Sequence, residues 1–302
     1  MYKDQVALLL ATIQDALADE RVALKGGTAI NLFIENMPRF SVDLDLCYLP
    51  ICGREKAFSE INDVMSTIST TISRKAGILT QINYTTDKVA KQIFVRKGRT
   101  TIKIEINHVL RGHLYETQIL GLCLKAQEEF KTYTEARCLS TDEVYAGKFC
   151  AALDRQHPRD LFDVMLYLKS HEITHSLKEA FLIYLISGNR PISELIQPNL
   201  VNQLNLYERE FKGMATIPVS YVDLEDARLN LINALDQVLT KEDKAFLISF
   251  KKGNPFWDHL SITFAKELPA ILWKQQNIAK MDAKKYMTAV NELKRKLDVH
   301  NG

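Results

Sequence analysis

Between Leu24 and Leu46 the chain reads LKGGTAINLFIENMPRFSVDLDL, and this stretch constrains the fold more than any other. A glycine pair, Gly26-Gly27, stands between a strand-like run and an apolar run of helical period. Such a junction lets the backbone approach a phosphate, with the first helical amides pointing at it. Asp43 and Asp45 follow one residue apart. The two-residue period of a strand places both on one face and turns Val42, Leu44 and Leu46 to the core. Two carboxylates held side by side repel unless a cation sits between them, and Mg²⁺ carried by nucleotide phosphates has the required charge. Taken singly, Gly-Gly-Thr is also an ordinary turn before a helix, and Asp-x-Asp is common on exposed strands. Their order and separation carry the constraint.

The chain has 302 residues, enough for one large domain or two ordinary ones, with 46% hydrophobic and 25% charged residues, as in soluble globular proteins. No apolar run approaches the ~20 residues that span a bilayer. The N-terminal MYKDQVALLLATIQDALADE reads as an amphipathic helix, because Gln14 and Asp15 interrupt its apolar run and no small-residue cleavage site follows. The five cysteines (Cys47, Cys52, Cys123, Cys138, Cys150) are odd in number and lack C-x-x-C spacing. They suggest neither a disulfide framework nor a zinc site, and a reducing cytoplasm is expected. Cys47 reads as a packing residue. The net charge of +2 is nearly neutral, so a nucleic-acid partner would have to be held by a local patch.

Along the chain, residues 21–25 read as a short strand, and a helix is expected over 28–36, with Ala29, Leu32 and Phe33 facing the sheet. Pro38 ends it. Arg39 and Ser41 precede the acidic strand; Arg39 is either a solvated loop charge or a phosphate or carboxylate contact. A helix is expected over 54–76 with Gly77 as its C-cap. Three strands follow over 78–84, 89–96 and 101–107. In the last, Ile102, Ile104 and Ile106 alternate with Lys103, Glu105 and Asn107. Glu105 therefore joins the aspartates' side if its strand neighbours theirs, and is otherwise a solvent-facing glutamate. A short extended piece covers 134–139. Ser140 and Glu143 form a capping-box pattern that opens a helix carrying Lys148, and Pro158 starts the next, PRDLFDVMLYLKS. Asp160 in its first turn is ordinary capping chemistry, and Lys148 alone would be a solvated charge. Helices are expected over 177–187, 192–204, 224–239, 241–250, 268–281 and 283–297. The chain thus reads as a mixed α/β half followed by a helical half, divided somewhere near 110–140.

The constellation of Gly26-Gly27-Thr28, a short helix and Asp43-Leu44-Asp45 resembles the signature of polymerase-beta-like nucleotidyltransferases. With GKFCAALDRQHPRDLFDVMLYL and the C-terminal AFLISFKKGNPFWDHL and LPAILWKQQNIAKM, nearly the whole chain resembles the AbiEii/AbiGii toxin family of nucleotidyltransferases, to which the MenT toxins belong. The resemblance implies an α+β fold: a polymerase-beta-like core with a mixed sheet over 1–135, then a helical domain over 136–302 that completes the active site. It implies that Lys25, Gly26, Gly27, Thr28, Arg39, Ser41 and Lys148 bind the nucleotide, and that Asp43, Asp45, Lys148 and Asp160 are catalytic. Asp43, Asp45 and Glu105 would hold Mg²⁺ or Mn²⁺; Arg155 and Asp163 match flanking motif positions. Where the family often has serine at the third position of the turn, this chain keeps the hydroxyl with Thr28.

The implied partners are an NTP, an RNA acceptor such as a tRNA 3′ end, and a cognate antitoxin, with no membrane involved. Arg39, Lys97, Arg99, Arg155 and Arg159 are the candidate RNA contacts, and the Thr28 hydroxyl is a candidate for phosphorylation. Three rival readings fit parts of the pattern. These are an antibiotic-modifying type of small-molecule nucleotidyltransferase, a nucleotide-binding regulator without turnover, and a pure interaction module. The intact Asp43/Asp45 pair argues against the last two.

Overall fold

The computed structural model describes residues 2–297. They form two compact units, one made of residues 2–144 with Gly213–Pro218, the other of Tyr145–Lys212 with residues 219–297. The division falls at Val144/Tyr145, and Gly213–Pro218 belongs to the first unit; the expectation from sequence was a single boundary at 135/136.

The first unit is built on a seven-stranded mixed sheet. In chain order its elements are α1 (Tyr2–Ala16), β1 (Val22–Lys25), α2 (Gly26–Thr28), β2 (Asp43–Tyr48), α3 (Arg54–Ser73), β3 (Ile78–Tyr84), β4 (Ala90–Lys97), β5 (Thr100–Ile106), β6 (Gln118–Gly121), α4 (Leu124–Phe130), β7 (Glu135–Cys138) and the start of α5 (Thr141–Arg155). The strands lie in the order β3-β4-β5-β2-β1-β7-β6. β2 runs parallel to β5 and β1 parallel to β7, while the other neighbours are antiparallel. On α3 the buried residues Ala57, Ile61, Val64, Met65, Ile68 and Ile72 recur every three or four positions, giving an apolar stripe. Ser69 on that stripe donates to Thr80 of β3 at 2.8 Å, and Gln5 of α1 donates to the Thr101 carbonyl of β5 at 2.9 Å. The isoleucines 102, 104 and 106 of β5 are at most 4% exposed, and burial of each contributes about 1.5–3 kcal/mol. The opposite face carries the aspartates.

Several local expectations change for identifiable reasons. Residues 29–34 form a π-helical turn continuous with α2, in which Ala29 through Phe33 are all buried; Met37, before Pro38, takes a left-handed conformation at φ 51°. α3 ends at Ser73, and Gly77, at φ 73°, opens the turn into β3 instead of capping the helix. The Ser140 half of the capping box is present, its Oγ accepting from the Glu143 amide at 3.3 Å. The Glu143 carboxylate instead takes the Leu114 amide, at 3.1 Å from each of its oxygens. β6 and α4 had no sequence signal.

The second unit is helical: α6 (Pro158–Ser170), α7 (His175–Ser187), α8 (Ile192–Ile196), α9 (Leu204–Leu206), α10 (Tyr221–Val238), α11 (Lys241–Lys251), α12 (Pro269–Ala279) and α13 (Ala283–Lys296). Its interior holds Phe162 against Phe211, and Phe246 against Trp257, each at 5.3 Å between ring centroids. Full capping boxes start α10 (Ser220, Asp223) and α11 (Thr240, Asp243). The helix expected over 192–204 is two pieces. α8 stops at Ile196 because Pro198 has no amide to donate and drives Gln197 to φ −130°; a short helix resumes at Leu204 and becomes a π turn over Tyr207–Phe211.

Candidate active site

The antiparallel pairing of β1 with β2 sets Lys25 opposite Asp45, and the parallel pairing of β2 with β5 sets Asp45 opposite Glu105 and Asp43 opposite Lys103. Residues opposite one another share a face. Lys25, Asp45 and Glu105 therefore form one row across three strands, with Asp43 and Lys103 forming the next. The flanking Leu44 and Leu46 are fully buried, which locks the strand's facing, because a one-residue slip would drive both aspartates into the core. Glu105 meets the condition set for it, since its strand neighbours β2, and its Oε1 lies 3.8 Å from Lys103 Nζ.

The glycine turn is tight for a specific reason. Gly26 sits at φ 72°, and a Cβ there would stand 2.5 Å from Asp45 Oδ2. At Gly27 a Cβ would stand 2.8 Å from Arg39 Nη2 and 3.1 Å from Ser41 Oγ. One glycine thus makes room for a carboxylate and the next for a guanidinium. Arg39 is only 2% exposed, with Nη1 donating to the Phe40 carbonyl at 2.9 Å, so it is a buried strut and not a surface contact for RNA. Thr28 is fully buried; its hydroxyl donates to the Asp43 carbonyl at 2.6 Å, with Ser41 Oγ 2.9 Å away. That geometry ties the turn to the first residue of the acidic strand. It also withdraws Thr28 as a phosphorylation site, since a modifying enzyme cannot reach the hydroxyl.

A segment distant in sequence closes this corner, and no sequence signal announced it. Arg39 bridges Ala215, the Phe40 amide donates to the Met214 carbonyl at 2.9 Å, and the Thr216 amide donates to the Pro38 carbonyl at 2.8 Å. Lys125 Nζ donates to Thr216 Oγ1 at 2.7 Å and to the Met37 carbonyl at 3.2 Å.

Lys148, Asp160 and Asp163 lie in the second unit and form a buried charge cluster. Lys148 Nζ is 2.8 Å from Asp160 Oδ1 and 3.0 Å from Asp163 Oδ2, and the three side chains are 6%, 1% and 1% exposed. Arg155 Nε reaches Asp160 Oδ2 at 2.5 Å from a side chain that is 61% exposed. Burial pushes the Asp160 carboxyl upward, but the Lys148 charge and the Arg155 hydrogen bond outweigh it and hold the group well below the usual carboxylate range. Lys148 is thus not the solvated charge its sequence context allowed. His157 caps α6, its Nδ1 accepting from the Arg159 amide at 3.0 Å. Burial first, then the Arg159 charge, push its pKa down to about 4.

The oxygen-only donors Asp43 and Asp45 suit a hard cation such as Mg²⁺ or Mn²⁺. Among the described residues no three His, Cys, Asp or Glu side chains gather into a ligand set. A cation here would take two protein carboxylates and complete its shell with water and phosphate oxygens, which is the usual habit of Mg²⁺ beside nucleotides.

A mixed sheet that presents paired carboxylates next to a crowded glycine turn is suited to nucleotide chemistry, and the enzyme class is the nucleotidyltransferases. Within that class the chain belongs to the AbiEii family of nucleotidyl transferase toxins of type IV toxin-antitoxin systems, whose model matches residues 7–262. The fold is similar to that of MenT4, a nucleotidyltransferase toxin from Mycobacterium tuberculosis H37Rv, with a TM-score of 0.57 and 18% identity, covering 97% of this chain and 89% of that one. A comparison with curated protein sequences gave no match.

Proposed function

We propose that this toxin transfers a nucleotide from an NTP to an RNA acceptor, specifically a tRNA 3′ end, with Mg²⁺ or Mn²⁺, in the cytoplasm. The observation that carries the reading is the shared face of Asp43 and Asp45 beside the Gly26-Gly27 turn. In the reaction an acceptor hydroxyl gives up its proton to water, its oxygen bonds to the α-phosphorus, the bond from the α-phosphorus to the bridging oxygen of the β-phosphate breaks, and pyrophosphate leaves. Asp43 and Asp45 would hold the divalent ion, and Glu105, one strand away, would orient its water shell. When bound, the ion neutralises charge on the phosphates and polarises the α-phosphate. The chain's own contribution is positioning: the turn amides and Lys25 orient the triphosphate, while Thr28, Ser41 and Arg39 keep the turn and the acidic strand in register. Lys148 and Asp160 enter this reading through the family resemblance.

The five cysteines are all free, which fits a reducing compartment, and among the described residues no helix is long and apolar enough to cross a membrane. A toxin of this family implies an antitoxin partner. The test incubates purified protein with Mg²⁺, each α-labelled NTP in turn, and either total tRNA or an aminoglycoside. Label on the tRNA 3′ end, abolished by EDTA, is the expected result. Transfer to the aminoglycoside with none to any RNA would overturn the reading in favour of a small-molecule transferase.

A further inference from the structure

The C-terminal helices carry a charge excess that the chain's near-neutral total conceals. Residues 251–296 hold ten Lys and Arg against four Asp and Glu, a net +6 in a chain whose total is +2. Two contacts and one charge effect bring part of that charge to one place. Tyr286 Oη of α13 donates to the Lys252 carbonyl just past α11 at 3.2 Å. A Cβ on Gly253 would stand 3.7 Å from Ile278 Cγ2 of α12. The Lys274 ammonium, lowered in pKa chiefly by burial, is lowered further by the charge of Lys251. The end of α11 therefore meets the end of α12 and the start of α13, and these three helices carry Lys251, Lys252, Lys274, Lys280, Lys284 and Lys285, with Lys274 Nζ donating to the Gly188 carbonyl.

Among the described residues none of these six lysines pairs with a carboxylate. The acid nearest in sequence, Asp282, is committed to capping α13, its Oδ1 accepting from the Lys284 and Lys285 amides at 3.0 and 3.2 Å. Lys252, Lys280, Lys284 and Lys285 are exposed. The Asp282 carboxylate offsets one of these charges, the positive excess that remains repels itself, and a polyanion relieves that repulsion. Trp273, next to Lys274 in the chain, is 53% exposed and offers a ring face on which a base can stack, which favours a nucleic acid over an acidic protein.

We infer that this lysine cluster is a docking surface for the phosphate backbone of RNA. The inference rests on the RNA-acceptor reading for the identity of its partner, and it assigns the contact to residues outside the Asp43/Asp45 site. Neutralising a phosphate contact weakens binding for all sequences alike and lowers the salt dependence by about one unit.

The experiment uses the full chain and fluorescently labelled unfractionated tRNA, titrated by anisotropy between about 50 and 200 mM salt. Lys252→Gln/Lys284→Gln/Lys285→Gln changes only exposed side chains and keeps the Asp282 cap. Its Kd at low salt should rise about 10-fold or more, and its slope of log Kd against log salt should fall by about three units. Thermal melting and NTP binding should not move. An unchanged Kd and slope in a variant that melts normally overturns the surface, even if the wild type labels tRNA. Loss of binding and slope in the variant, with no RNA labelled by the wild type, leaves the surface standing and removes the acceptor reading. Wild-type protein that pellets with phosphatidylserine vesicles yet binds no tRNA also overturns it.

Discussion

At the scale of single residues, two acidic contexts in this chain demand opposite experiments. Asp45 is half-exposed on a strand face, and Asn at this position is nearly isosteric, so the packing against Gly26 survives. Asp45→Asn should leave the melting temperature close to that of the wild type and reduce transfer by at least about 100-fold, equivalent to about 2.7 kcal/mol of barrier. Near-normal turnover would remove Asp45 from the metal set. Lys148→Ala behaves otherwise. It removes the lysine shared by two fully buried carboxylates, of which Asp160 keeps Arg155, and loss of one partner of such a cluster costs about 3–5 kcal/mol, so the variant should melt markedly lower. Lost activity in Lys148→Ala therefore says nothing by itself about nucleotide contact, whereas unchanged stability would contradict the burial described here. The aspartate pair was legible in the sequence because a strand's period fixes facing within a few residues. The burial of Lys148 was not, because its partners lie a helix away and only packing brings them together.

At the scale of elements, the strands of the sheet were the most legible part. β3, β4 and β5 each begin and end within one residue of the alternation-based expectation, since their alternation and turn signals are local. Elements lacking a local signal were missed, among them β6 and the Gly213–Pro218 segment, whose sequence GMATIP shows neither period. That segment supplies a direct test. Thr216→Pro removes the amide that bonds the Pro38 carbonyl and the hydroxyl that accepts from Lys125. It should cost about 1–3 kcal/mol in stability and loosen the loop that holds Arg39 and Ser41. Transfer should fall with it, and Thr216→Ser, which keeps both groups, should restore it. Equal activity in the two variants would show that the strap does not position the site.

At the scale of the whole molecule, stability should respond to mild acid through His157. Its folded pKa of about 4 lies below the unfolded value of about 6.5, so the unfolded chain binds the proton first. The contribution is fully present above pH ~6.5 and is lost as pH falls toward 4. His157→Asn keeps an oxygen that can accept from the Arg159 amide but cannot titrate. Its melting temperature should therefore drop less than that of the wild type between those two pH values; parallel curves would assign the acid sensitivity elsewhere. Net charge, a property of the whole chain, was legible from the start but misleading, because the sum hid a basic C-terminal stretch. The bond from Thr216 to Pro38 has one more consequence, since it joins residues 178 positions apart. A ribosome adding about 5–20 residues per second needs roughly 9–36 s to travel from one to the other. For that interval a nascent toxin carries both aspartates on a corner that lacks its strap. The cell is thereby given a delay between making the acidic strand and completing the corner beside it, and a prematurely terminated chain that stops before Gly213 never completes it.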